Sequence, residues 1–143
     1  MSKENLNLID DLITREDTCV LATSDGIRPH CSLMHFFADH AAMKFYFLSR
    51  SSSRKCRNLK SHPHVCLMID RREEGVALAV HGVYSPIKKR QTVEAITHLY
   101  VMKFPQLADL AAEDDVELIR IDGREATLSK GAGDNFTTKL KNS

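Results

Sequence analysis

Seven consecutive residues, Ser49 to Lys55 (SRSSSRK), hold the densest chemistry in the chain: four hydroxyls interleaved with three cations. Hydroxyls, backbone N–H groups and cationic side chains in one small volume are what a phosphate needs. The segment lies in a longer stretch, from Asp39 to Asp70, that has no acidic residue between its ends yet contains Lys44, Arg50, Arg54, Lys55, Arg57 and Lys60. Six positive charges collect there on a chain whose formal net charge is +1. A charge run by itself reads as a solvated face. Position adds a second reading. Serines 51 to 53 are N-cap candidates and no breaker occurs from Arg54 until Pro63, so a short helix over 54–61 is predicted. Arg54 and Lys55 then fall in its first turn, where the macrodipole and unpaired N–H groups already place positive charge. A bound anion would relieve that conflict. The chain has no GK[ST] loop and no GxGxxG, so a Walker or Rossmann phosphate site is excluded.

Other reactive side chains are less ordered in the sequence. Seven histidines include His30 and His35 around Cys31, and His62 with His64, but no set has a strong zinc spacing, and no metal site is expected. The four cysteines (Cys19, Cys31, Cys56, Cys66) form no CxxC and stand in or beside apolar segments, which reads as small hydrophobes of a core. Single-stranded nucleic acid would want aromatics among the basic residues, and Arg50 to Lys60 has none. The near-neutral chain gives no whole-molecule attraction to nucleic acid or membrane, and its N-terminus has no apolar run of signal-peptide or spanning length, so a cytoplasmic protein is expected.

The elements that must position these groups follow from periodicity. A total of 143 residues, 43% hydrophobic and 27% charged, suits one folded domain over 1–143. Leu6, Ile9, Leu12 and Ile13 make an amphipathic first helix over 4–15. TCVLAT (18–23), a Ser24-Asp25-Gly26 turn and a return strand from about Arg28 form a hairpin, with Pro29 requiring an edge or a strand start. MKFYFL (43–48) alternates Met43, Phe45 and Phe47 against Lys44, Tyr46 and Leu48. HVCLMID (64–70) turns through Glu73-Glu74-Gly75 into VALAVHGVYS, where Gly82 suggests a bulge or close backbone approach. Val93, Ile96, Thr97, Tyr100 and Val101 define a helix from Gln91, closed by Pro105. VELIRI (116–121) is expected to turn at Asp122-Gly123 and pair with EATLS, followed by a polar tail to Ser143. Short turns and no repeated strand-helix-strand unit favour a closed antiparallel barrel.

Three segments carry a resemblance: LATSDGIRPHCSLMHF from Leu21, MKFYFLSRSSSRKCRNLKSHPHVCLMID from Met43, and VHGVYSPI from Val80. In order and spacing they resemble the pyridoxamine 5'-phosphate oxidase-like FMN-binding split-barrel family. The resemblance implies an α+β fold, mainly β, with an antiparallel split β-barrel of about six to seven strands and flanking helices. It implies FMN as cofactor, a homodimer with FMN at its interface, and oxidoreductase chemistry on a small-molecule substrate or electron donor. By position it implicates Ser32, Leu33, Met34 and His35 along the flavin ring, and Leu48, Ser49, Arg54 and Lys55 at the ribityl phosphate. A non-catalytic flavin or haem protein of the same barrel is the other reading. His35 is either a group tuning the flavin or a histidine satisfied by its neighbours. No Arg-x-His follows Ile121, and Ala77 stands where the pyridoxamine phosphate enzymes have a glutamine, so the resemblance does not reach that substrate. The tail with Lys130, Gly131, Gly133, Asn135 and Phe136 either reaches a partner's flavin or is a free end.

Overall fold

The computed structural model describes residues 2–140. Helix α1 (Ser2–Arg15) leads into strands β1 (Thr18–Ser24), β2 (Pro29–His35), β3 (Phe37–Asp39) and β4 (Lys44–Arg50). Helix α2 (Arg54–Ser61), β5 (His64–Arg71), β6 (Val76–Tyr84), α3 (Arg90–Lys103), the short α4 (Ala108–Ala111), β7 (Val116–Lys130) and β8 (Asn135–Lys139) complete the order. The protein is thus mixed α and β, built on one antiparallel sheet.

The strands run β2-β1-β5-β6-β7-β4-β3, with β8 paired to β7 off that path. Only Phe36 separates β2 from β3, so the sheet's two ends are joined by one bend of the chain, and the sheet curls into a split barrel. Phe36 is fully buried and its N–H donates to the Asp17 carbonyl at 3.0 Å, so the bend is held by a backbone bond and by the core. The interior is filled by alternate strand residues such as Leu21, Phe45, Phe47, Leu67, Leu78 and Ile119, all at zero exposure. Helix α1 adds Ile9, Leu12 and Ile13, while Leu6 of the same stripe stays exposed one turn beyond the core's edge.

The first hairpin forms where its turn residues require it. Asp25 Oδ1 accepts from the N–H groups of Ile27 (2.9 Å) and Arg28 (2.7 Å), and Gly26 takes a φ of +99°. Pro29 opens β2 at the sheet edge, where its missing N–H leaves no ladder bond broken. On β4, Phe45 and Phe47 enter the core as the alternation predicts, but the opposite face is also covered: Tyr46 and Leu48 are buried, and Leu48 packs with Tyr100 and Phe104 of the α3 region.

The expected turn at Asp122-Gly123 does not form. Strand β7 runs unbroken for 15 residues and changes partners instead of reversing. Its first half pairs with β4, from Arg50↔Val116 to Lys44↔Asp122, and its second half pairs with β6 and β8. The register shifts beside Gly82, opposite Gly123, and the Gly123 N–H donates to the Met43 carbonyl at 2.8 Å. A bulge thus replaces the turn that Asp-Gly suggested. Gly82 is needed for close approach: a Cβ there would lie 2.6 Å from the Asp122 carbonyl oxygen. The tail contains a strand as well. After a turn with Gly131 and Gly133 at positive φ, Asn135–Lys139 pairs with Glu125–Ser129. The cysteines are not uniformly core residues either: Cys19 and Cys56 are buried, Cys66 is half-buried and Cys31 is exposed on the edge strand. Burial pushes the Cys19 thiol up to about 12, which keeps it inert.

Candidate functional site

The basic segment resolves into paired and unpaired cations. Lys44 meets Asp122 at 3.0 Å, and Arg50 is gripped by Glu113 (2.7 Å) and Asp115 (3.0 Å). Lys60 lies 3.5 Å from Glu117, and Arg57 donates to the Ser52 carbonyl. Among the described residues, only Arg54 and Lys55 of the six have no such partner. They occupy the first turn of α2, which carries no acidic residue there. Ser53 caps the helix, its Oγ accepting from the Cys56 N–H at 3.3 Å, and stands 3.1 Å from the Ser49 Oγ. Ser49 is itself buried at the end of β4, while Ser51 is drawn away to Glu117 at 2.8 Å. Two hydroxyls, a helix N-terminus and the Lys55 ammonium therefore share one place, with Arg54 on the same helical turn.

That place is the end of a cavity of about 380 Å³. Ser49, Arg50, Ser53 and Lys55 form its polar end, with Leu48 at the wall. Strand β2 forms the opposite side through Leu33, Met34 and His35. Its pleat sends Ser32 and Met34 inward, opposite Leu21 and Cys19, and turns Leu33 and His35 outward, with His35 opposite Thr18. Six of the eight residues expected at the site thus line one cavity: Leu33, Met34, His35, Leu48, Ser49 and Lys55. Arg54, exposed on the first turn of α2, is not in the lining. Ser32 is not in the lining, and its Oγ lies 3.2 Å from the His30 Nε2.

The third wall comes from residues far along the chain: Tyr100, Leu107 and Leu110. Helix α3 is stitched to the β2–β3 bend by two side chains one turn apart. The Tyr100 hydroxyl donates to the His35 carbonyl at 3.1 Å, and the Lys103 ammonium donates to the carbonyls of Phe36 (3.0 Å) and Glu16 (3.1 Å). Burial pushes the Tyr100 phenol up to about 12 and moves Lys103 below the ordinary lysine value. Lys103 keeps its charge company in the faces of Phe36 and Phe104, 4.9 and 5.1 Å from the ring centres. His35 packs edge-on against Phe104 at 4.9 Å, so its ring is steadied by an aromatic neighbour. Sequence periodicity found Tyr100 as a packing residue but had no signal for its carbonyl bond or for Leu107 and Leu110 beyond Pro105.

A family model described as pyridoxamine 5'-phosphate oxidase matches residues 7–130, most of the chain. The chain belongs to that family. No curated relative matches it by sequence. Among solved structures, a Clostridium acetobutylicum protein of the pyridoxinephosphate oxidase family, related to general stress protein 26, is 17% identical with a TM-score of 0.78, covering 98% of this chain and 97% of that one. A haem-binding protein from Mycobacterium smegmatis is 13% identical with a TM-score of 0.76; the match covers 91% of this chain and 57% of that one. The haem storage protein HutZ from Vibrio cholerae is 21% identical at a TM-score of 0.70, with 93% of each chain covered. These likenesses carry the fold. Within the pyridoxamine 5'-phosphate oxidase family flavin is a common ligand, and two of these neighbours are haem proteins by name.

The cavity of this family member has two chemically distinct parts. Its polar end suits a phosphate monoester, and its wall of Leu33, Met34 and Leu48 suits a flat apolar ring. His35 is the one histidine in the lining, and among the described residues no three His, Cys, Asp or Glu side chains converge as a metal cluster. No helix among the described residues is long and apolar enough to cross a membrane.

Proposed function

We propose that this cavity holds FMN and that the protein is a flavin-dependent oxidoreductase acting on a small molecule. The observation that carries the reading is the pair Arg54 and Lys55 on the first turn of α2, with neither a carboxylate nor a side-chain hydrogen bond among the described residues, whereas Lys44, Arg50 and Lys60 meet carboxylates and Arg57 donates to the Ser52 carbonyl. A phosphate at that helix start satisfies the two side chains, the unpaired N–H groups and the hydroxyls of Ser49 and Ser53 together. From there the ring extends along β2, with Leu33, Met34 and His35 against it and Ser32 at the margin. Bound flavin supplies two-electron redox chemistry. The chain's own contribution is to anchor the phosphate, shield the ring with Met34 and Leu48, and present His35 beside it.

The cavity is open where Leu33 stands, 75% exposed. Leu33 continues across the sheet into Val20 and Met68, cross-strand neighbours that are 38% and 45% exposed, so an apolar row begins at the cavity's mouth. A second copy of the chain covering that row gives the homodimer with FMN at its interface. Haem is the second reading, favoured by His35 in the lining, where an imidazole could ligate iron. Its test is shared. The visible spectrum of the purified protein, before and after adding FMN, is expected to show flavin bands with the shifts of a bound ring. A Soret band on adding haemin, with no response to FMN, would replace the flavin reading by the haem one. Anaerobic addition of NADH or NADPH to the FMN-loaded protein then separates a reductase, which bleaches, from a carrier, which does not.

A further inference from the structure

We propose a second binding site, under the N-terminal half of α3, for a small neutral apolar molecule bearing a carbonyl group, the class of quinones and aryl ketones. A cavity of about 410 Å³ lies there, separate from the one assigned to FMN. The two share Leu48, and α4 stands between them, with Leu110 on one side and Ala111 on the other. Periodicity along α3 requires Val93, Ile96, Thr97 and Tyr100 to face inward, yet only Tyr100 is buried. The C-terminal half of the helix is packed by Tyr100 and Phe104, whereas Val93 and Thr97 stand over the cavity.

The walls and the far end decide the ligand class. Pro86, Ile87, Val93, Val116 and Leu118 make apolar sides. Three polar groups converge at one end: the Tyr84 phenol, the Lys60 ammonium and the Glu117 carboxylate. Glu117 is committed, accepting from Ser51 at 2.8 Å and facing Lys60 at 3.5 Å. The Tyr84 hydroxyl has no hydrogen-bond partner among the described residues, and burial together with Glu117 pushes its pKa upward, so it remains a donor. Lys60 has further N–H bonds to give. Tyr84 and Lys60 thus leave unused donors at that end, which suits an acceptor on the ligand, while the Thr97 hydroxyl on the α3 side can serve as donor or acceptor. Glu117 beside those donors disfavours an anion, and the Lys60 charge disfavours a cation. A neutral carbonyl on an apolar frame meets both conditions.

The test uses the full chain and 1-tetralone, followed by ligand-observed NMR titration, with tetralin as the same frame lacking the carbonyl. Saturable binding of 1-tetralone is expected, retained when FMN is present in excess. Tyr84→Phe is expected to weaken it about tenfold, the order of one hydrogen bond, and Ile87→Trp, which fills the cavity from a surface segment, to abolish it. Tetralin is expected to bind at least about fivefold more weakly than 1-tetralone on the same ground. No saturable binding to the unmodified chain, competition by FMN, equal binding to the Ile87→Trp protein, or equal affinity for tetralin would each overturn the proposal.

Discussion

Removing the two uncompensated cations, Arg54→Ala with Lys55→Ala, should separate FMN from riboflavin, which differ only in the phosphate. Its monoester carries about −1.5 to −2 charges at neutral pH. Two unit charges about 4 Å apart attract by about 1 kcal/mol in bulk water and about 4 kcal/mol at an effective dielectric of 20. Arg54 is exposed and lies near the aqueous limit, while Lys55 is half-buried in the cavity lining and lies between the limits. Together the pair is worth about 3 kcal/mol toward the phosphate, or roughly 150-fold in Kd. Quenching of flavin fluorescence on titration with protein reads both ligands directly. FMN is expected to lose about two orders of magnitude, and riboflavin less than about threefold, since its ring contacts on β2 are untouched. Added salt should shrink the FMN effect, because screening reaches about 3 Å at 1 M. Equal losses for the two flavins, or an FMN affinity indifferent to the double substitution, would refute the phosphate assignment.

Tyr100→Phe removes the bond to the His35 carbonyl and should lower stability by about 1 kcal/mol in thermal melts at pH 8. The same substitution changes the alkaline limb: a phenol raised to about 12 stays protonated in the fold while the unfolded chain ionises near 10, so its contribution is whole below pH 10 and is lost as pH rises through 12. The Phe variant should therefore show a shallower fall between those pH values. Gly82→Ala drives a Cβ to 2.6 Å from backbone oxygen at the β6–β7 bulge, and a loss of about 2 to 3 kcal/mol is expected in denaturant unfolding. A stability change within about 0.5 kcal/mol would mean that the bulge is not tightly determined. Leu33→Lys with Met68→Lys places charge in the exposed apolar row and should shift the chain from dimer to monomer on sizing chromatography. An unmodified chain that elutes as a monomer would remove the dimer from the proposal.

Much of this protein is legible where the determining contacts are local. The Ser24-Asp25-Gly26 turn, the edge position of Pro29, the Ser53 cap and the placement of Arg54 and Lys55 on a first helical turn all follow from residues within a few positions of one another. The misread places are those where distant strands compete for the same segment. Asp122-Gly123 has the composition of a turn, but β4 supplies pairing up to Asp122 and β6 continues beyond it, so the extended chain gains ladder bonds that a hairpin would forgo. The tail looks polar because β8 lies at an edge, with one side of its pleat in solvent.

The sequence by itself determined which groups are available for chemistry: the serines and cations of 49–55, the β2 segment with Leu33, Met34 and His35, and a pattern of strands whose family is recognisable. Only the tertiary structure decided which cations stay unpaired. Asp122, Glu113, Asp115 and Glu117, which lie more than fifty residues away, neutralise Lys44, Arg50 and Lys60 but not Arg54, Lys55 or Arg57, and of these three only Arg57 has another partner, the Ser52 carbonyl. Charge pairing depends on distance in space, falling off over a few ångströms, and the chain order of a barrel strand such as β7 contains no measure of that distance until its partners are set.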